Sequence, residues 1–161
     1  MATRSGSIDP GMLMWVQRLG DLGAEEMEQA LDRESGLLGL SGRSGDMREV
    51  LTGMDEGDER CRLAFDAYVH RLAGAIAAMA TAMSGLDGLA FTGGVGENSA
   101  RVRERACERV AFLGVAVDPS SQPTGGDTVI SSTDSQVAVL VIHAREDVEL
   151  AAQLRSCLLR G

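Results

Sequence analysis

The stretch Phe91-Thr92-Gly93-Gly94-Val95-Gly96-Glu97-Asn98-Ser99 runs from a short apolar strand through a glycine turn into a helix. Such a passage lets backbone approach a phosphorylated ligand. Glycines tolerate positive φ and carry no side chain to block contact, and the free N–H groups at a helix start favour anions. The stretch matches neither G-x-G-x-x-G nor the loop ending in Gly-Lys-Ser/Thr, so a plain glycine turn between strand and helix stands beside the ligand reading.

The rest of the chain gives this passage its setting. Asp9-Pro10 reads as an N-cap followed by proline at the first helical position, opening a helix through Met12, Leu13, Trp15, Val16 and Leu19 that Gly20 stops. A second helix is expected from Ala24 to Glu34, with acidic residues in its first turn. Ser35-Gly36-Leu37-Leu38-Gly39-Leu40-Ser41-Gly42 is too glycine-rich for a stable helix and too apolar for a solvated loop, so its leucines are expected inward on a turning backbone. From Asp58 to Ser84, Cys61, Ala64, Phe65, Tyr68, Val69, Leu72, Ile76 and Met79 recur at helical spacing and predict the core helix. Leu89-Ala90-Phe91 follows as a strand, and Asn98 or Ser99 caps a helix to about Phe112. Short strands are expected near Gly114 to Val117 and Val129 to Ser131. Gln136 to Ile142 is apolar almost throughout, the pattern of a strand covered on both faces, and a last helix runs from Glu146 to Leu159. Met12, Met14, Met79, Met83 and Trp15 are most simply core residues. The result is an α-rich α/β chain whose two apolar strands need more ladder partners than it offers.

Composition narrows the chemistry. A length of 161 residues suits one domain, and a net charge of −9 argues against nucleic-acid binding, which needs a basic face. All fifteen cationic side chains are arginine, which excludes a Schiff-base lysine and leaves guanidinium forks for holding anions. Cys61, Cys107 and Cys157 are odd in number, with no C-x-x-C, so neither a disulfide framework nor a zinc site is expected and a reducing, cytoplasmic setting fits. The apolar run Leu72 to Met83, about a dozen residues, is too short for a bilayer and reads as a buried helix; no signal-peptide core is expected at the start.

Five phrases occur in order: Thr3-Arg4-Ser5-Gly6-Ser7-Ile8-Asp9-Pro10-Gly11; Ser35 to Gly42 leading to Asp46-Met47-Arg48; Phe91 to Ser99; Ile130-Ser131-Ser132; and Val139-Leu140-Val141-Ile142 leading to Glu146. Together they resemble the C-terminal part of the acetate kinase family, whose members interconvert acetate plus ATP with acetyl phosphate plus ADP. The resemblance implies an incomplete ribonuclease H-like domain of the actin, sugar kinase and heat-shock ATPase superfamily. Residues 1–161 would form the later part of the second domain, without the N-terminal domain. It also implies ATP or ADP and a short-chain carboxylate as substrates, Mg2+ as the metal, a homodimer, a cytoplasmic setting, and neither nucleic acid nor membrane as partner. The family often carries a methionine before its Thr-Arg phrase, so Met1 reads equally as an internal methionine.

The resemblance assigns roles residue by residue. Arg4 matches an arginine facing the transferring phosphoryl group, where a permanent charge stabilises the equatorial oxygens; the bland reading is an exposed arginine in a frayed terminus. Asp46, Met47 and Arg48 match the adenosine-contacting segment, against the alternative of an Asp-capped helix with a solvated arginine. Gly94, Val95, Gly96, Glu97 and Asn98 match the turn at the adenosine and phosphate side. Glu146 matches a carboxylate associated with magnesium, or else supplies helix N-terminal charge. There the family reads Pro-Thr-Asn-Glu-Glu and this chain reads His143-Ala144-Arg145-Glu146-Asp147. His70 and His143 match no family histidine on the phosphoryl group. Without the N-terminal residues for acetate and acid chemistry, the chain alone is expected to be inactive, with a nucleotide-binding or dimerisation module, or a subunit of a split enzyme, as alternatives.

Overall fold

The computed structural model describes residues 2–121, 123 and 126–158; Met1, Leu159 and part of the expected loop from Pro119 to Asp127 lie outside them. The chain forms two compact units that divide between Leu72 and Ala73.

The first unit is helical. Helix α1 (Pro10–Gly20) starts as its sequence dictates, with the Asp9 carboxylate accepting from the Met12 N–H at 2.9 Å. It ends at Gly20, as expected, with Asp21 as its left-handed cap at φ 49°. Helix α2 (Ala24–Arg33) follows, its first turn held by the Glu26 carboxylate accepting from the Gly23 N–H at 2.8 Å. The segment Ser35 to Gly42, expected to be non-helical, forms the short helix α3 (Gly36–Ser41). Its glycines serve close approach: a Cβ at Gly39 would lie 2.6 Å from the Glu34 carbonyl oxygen, and one at Gly42, where φ is +64°, would lie 2.7 Å from the Arg60 guanidinium. Arg60 in turn donates to the Gly39 and Leu40 carbonyls, which no helical N–H satisfies. Helix α4 (Met47–Asp55) and the start of α5 (Glu59–Ala82) complete the unit around Leu37, Met47, Val50, Cys61, Ala64, Phe65 and Val69.

The second unit carries a three-stranded sheet of order β1-β3-β2. Strand β1 (Gly88–Phe91) pairs in parallel with β3 (Ala138–Val141), Leu89 opposite Val139 and Phe91 opposite Val141. Strand β2 (Thr128–Val129) is antiparallel to β3, and an isolated bridge joins Val117 to Ser131. A parallel pair needs a crossover. Here it includes α6 (Gly93–Asn98), α7 (Ala100–Arg109) and a 3-10 turn at Ala111–Leu113. Helix α8 (Glu146–Leu158) follows β3. Phe91, Val102, Ala106, Cys107, Val110, Val139 and Val141 are buried.

Four expectations are corrected. Met12, Met14, Trp15, Met79 and Met83 are exposed rather than core, and in the stretch from Leu72 to Met83 only Ala80 is buried. Hydrophobicity sets what burial would gain, whereas burial itself needs a packed neighbour. Strand β3 is covered on one face: Val139 and Val141 are buried while Ala138 is exposed. Gly114 to Val117 forms no strand, only the bridge at Val117. Among the described residues no helix is long and apolar enough to cross a membrane.

Candidate functional site

In the first unit the segment that carries Arg4 is laced into place. Ser5 N–H donates to the Leu31 carbonyl at 2.8 Å, Ser35 N–H to the Thr3 carbonyl at 2.8 Å, and Leu38 N–H to the Ala2 carbonyl at 3.0 Å. The Thr3 hydroxyl donates to the Asp32 carbonyl. Arg4 therefore extends from a tethered backbone, not from a frayed end. Its side chain lines a cavity of about 350 Å3 together with Leu37, Leu40, Tyr68 and Arg71. Sequence reading missed Tyr68 and Arg71 as site residues. Their signal is the helical repeat of α5, which puts position 68 on the same stripe as Ala64 and within one turn of Arg71.

The turn before α4 is a hydrogen-bonded relay. The buried Ser41 hydroxyl accepts from the Arg43 and Ser44 N–H groups, and the Ser44 hydroxyl accepts from the Asp46 N–H at 3.0 Å. Asp46 caps α4 by accepting from the Arg48 N–H at 2.9 Å and pairs with the Arg48 guanidinium, both carboxylate oxygens lying 3.1 Å from Nε. Those bonds, the guanidinium first and the N–H second, hold the Asp46 carboxyl at about 2. Arg48 is 89% exposed, while Met47 is buried beneath the turn. The solvent-facing groups of this segment are thus Asp46 and Arg48.

In the second unit, the passage from Gly93 to Asn98 is a one-turn-and-a-half helix, not the open turn expected. Gly93, at φ 73°, donates to the Glu97 carboxylate at 2.8 Å, and Asn98 Nδ2 donates to the Gly94 carbonyl at 2.8 Å. Gly96 packs against Phe91, where a Cβ would come within 3.3 Å of backbone, while Gly94 faces open space; Val95 is half-buried. Glu97 also accepts from the Ala144 N–H at 3.0 Å, and its Oε2 lies 2.6 Å from His143 Nδ1. The Ala144 N–H and then His143 hold the Glu97 carboxyl below the usual carboxylate range. Glu97 thereby clips α6 to the loop after β3. Arg103, buried on the apolar face of α7, donates to the Gly96 and Glu97 carbonyls at 2.8 Å each and closes the far end of α6. It was missed because an arginine among Val102, Ala106 and Val110 reads as solvated charge.

Glu146 stands exposed at the start of α8 with Asp147 and Glu149 in the same first turn. Arg145, adjacent in sequence, is engaged elsewhere, its Nη2 donating to Asp127 at 3.0 Å. Among the described residues no three His, Cys, Asp or Glu gather as a metal cluster. One exposed carboxylate suits Mg2+ held jointly with substrate phosphates and water, and does not suit a protein cage.

The sequence pattern of the Acetokinase family matches residues 1–152. The chain belongs to this family. It is 48% identical over 152 residues to an acetate kinase from Nostoc punctiforme, covering 94% of this chain and 38% of the relative. An acetate kinase from Gloeobacter violaceus is 47% identical over 156 residues, covering 95% and 38%. The crystal structure of Porphyromonas gingivalis acetate kinase superposes with a TM-score of 0.90 at 38% identity, covering 98% of this chain and 40% of that one. A propionate kinase from Francisella tularensis gives 0.83 at 36%, covering 91% and 37%. The chain thus spans about two fifths of the length of these acetokinase relatives, and the helix-rich α/β fold with its small sheet is theirs.

Proposed function

We propose that this chain supplies the adenosine-side segment and one phosphoryl-facing arginine of an acetate kinase family phosphotransferase. As in the family resemblance, it would be the later part of the second domain, with ATP or ADP and a short-chain carboxylate as substrates. The tethering of the Arg4 backbone carries this reading, since a charge that stabilises a transition state must be held before the reaction starts. In the transfer a carboxylate oxygen forms a bond to the γ-phosphorus of ATP while the bond from phosphorus to the ADP oxygen breaks. Charge spreads over three equatorial oxygens, and the Arg4 guanidinium is the group of this chain that offsets it. Arg48 offers a planar face to the purine and Asp46 an acceptor to the ribose hydroxyls, with buried Met47 supporting the turn between them. Gly94 leaves room for backbone approach, alongside Val95, Gly96 and Asn98, while Glu97 holds α6 in place. Mg2+ would neutralise nucleotide phosphate charge, with Glu146 as its carboxylate.

Calorimetric titration of the purified chain with Mg-ADP tests the nucleotide role. Saturable binding is expected, weakened at least tenfold in Asp46→Ala and also in Asp46→Ser, which keeps a helix-capping oxygen but loses the pair with Arg48. Unchanged affinity in Asp46→Ser would assign Asp46 to capping alone. Acetyl phosphate formation from acetate and ATP is expected to stay at background for the chain by itself. Turnover that disappears in Arg4→Ala would overturn that expectation. The homodimer and the cytoplasmic setting belong to the same proposal; light scattering of the pure chain reads the first.

A further inference from the structure

Helix α8 buries none of its side chains, so packing does not fix where it starts. The loop that leads into it does. Ile142 N–H donates to the Phe91 carbonyl at 2.8 Å, at the end of the β1-β3 pairing. From there two carboxylates take over. Asp127 Oδ1 accepts from the His143 N–H at 3.0 Å, and its Oδ2 accepts from Arg145 Nη2 at 3.0 Å. Glu97 Oε1 accepts from the Ala144 N–H at 3.0 Å, and its Oε2 lies 2.6 Å from His143 Nδ1. Each of the three residues before Glu146 is therefore held by a carboxylate from another segment, Asp127 from just before β2 and Glu97 from α6. The Arg145 carbonyl in turn accepts the first helical bond of α8, from the Glu149 N–H at 3.3 Å. The same Glu97 Oε1 accepts from the Gly93 N–H at 2.8 Å, so a single atom joins the start of α6 to the loop before α8. The His143 N–H and then Arg145 hold the Asp127 carboxyl below the usual carboxylate range, so both clasping groups are charged at neutral pH.

We infer that Asp127 and Glu97, acting through His143, Ala144 and Arg145, are positioning residues that fix the Glu146 carboxylate at the start of α8 relative to the α6 turn. The inference rests on the reading of α6 as the nucleotide turn and of Glu146 as the Mg2+ carboxylate, and it adds what aims that carboxylate. An exposed side chain that shares a cation with substrate phosphates gains from a backbone held in place beforehand, because less ordering is left to the binding step. Partners that only orient a metal ligand change metal affinity by about 10–100-fold when removed.

Calorimetry of the full chain with ADP, in saturating Mg2+ and in EDTA, gives the ratio of the two affinities. In the parent this ratio should be about tenfold or more, and Glu146→Ala should bring it close to one. Asp127→Ala should lower the ratio by about tenfold while leaving the affinity in EDTA within about twofold. Asp127→Asn, which keeps an oxygen for the His143 N–H, should recover part of the loss. Asp127→Ala added to Glu146→Ala should lower the ratio no further, because Asp127 acts through Glu146. A second readout needs no ligand: hydrogen exchange at the Ala144 and Glu149 amides should quicken by about tenfold in Asp127→Ala, with the Ala138 amide of β3 unchanged. An unchanged ratio in Asp127→Ala, equal losses with and without Mg2+, or unchanged exchange at Ala144 and Glu149 would each overturn the inference while the nucleotide reading stands. A parent that binds no ADP, or binds it with a ratio near one, would overturn the underlying reading and this inference with it.

Discussion

Gly53 is a point of close approach between α4 and α5. It is buried, and a methyl carbon added there would lie 2.5 Å from Cys61 Sγ and 3.2 Å from Arg43 Nη1. Cys61 is itself fully buried, with its sulfur 3.5 Å from the Asp58 carboxylate, so the sulfur has little room to yield. Two effects oppose each other in Gly53→Ala. Alanine in a helix interior is favoured over glycine by about 1 kcal/mol, and overpacking a filled core costs about 1–3 kcal/mol. A contact this short against a buried sulfur puts the steric cost in the upper part of that range, about 2–3 kcal/mol, for a net loss of about 1–2 kcal/mol. For a cooperative unit of this size that is a fall of roughly 5–10 °C in Tm. Removing the sulfur reverses the sign: after Cys61→Ala the nearest atoms are Cys61 Cβ at 3.3 Å and Arg43 Nη1 at 3.2 Å, which small shifts accommodate. In that background Gly53→Ala should be neutral or stabilising by up to about 1 kcal/mol. Urea denaturation of the four proteins, followed by helical ellipticity with unchanged m-values, measures the coupling, expected at about 1–3 kcal/mol. Additive effects, or a Gly53→Ala protein more stable than its parent, would refute the argument.

Two further outcomes follow from the second unit. The depressed Glu97 carboxyl contributes stability that is present above its unfolded value and is lost as pH falls through its lower folded value. Glu97→Gln should therefore be less stable than the parent near neutrality and converge with it in acid, as a denaturation series across pH 2–7 would read; a constant gap would contradict it. On β3, Val139→Ala should cost about 2 kcal/mol because Val139 is fully buried. Ala138→Ser on the opposite, open face should stay within about 0.5 kcal/mol, and equal losses at both positions would show that both faces are covered.

Local signals were legible where they act through neighbouring residues. Asp9-Pro10 announced α1, Ser99 capped α7 through the Val102 N–H, and the spacing of Cys61, Phe65, Val69 and Leu72 gave α5 close to its observed bounds. Asp46 was readable as a cap and is one. What failed depended on contacts distant in sequence. Gly36, Gly39 and Gly42 lower helix propensity, yet Arg60 donates to the Gly39 and Leu40 carbonyls and the Ala2 carbonyl accepts from the Leu38 N–H, contacts distant in sequence that support a helical turn there. The stripe Met12, Trp15 and Leu19 has a helical period whether or not anything covers it, and here it is exposed. Around the candidate site, the phrase that carries Arg4 was legible as a family resemblance. The hydrogen bonds that tether it to Leu31 and Ser35, the pairing of Glu97 with His143, and the caps from Arg103 were not, because each joins segments that only folding brings together.

Strand β1 has a single ladder neighbour among the described residues, β3, which the Asp87 and Phe91 carbonyls face, so the opposite rim presents the N–H and C=O groups of Gly88 and Ala90. Neither residue carries a charge or is a proline, the usual guards of such a rim. The rim is thus a template on which any extended chain can add itself, with hydrogen bonds indifferent to sequence. Self-association through this rim is expected to rise with protein concentration. A lysine at the outward-facing Ala90 would protect it in storage at little cost to the buried face.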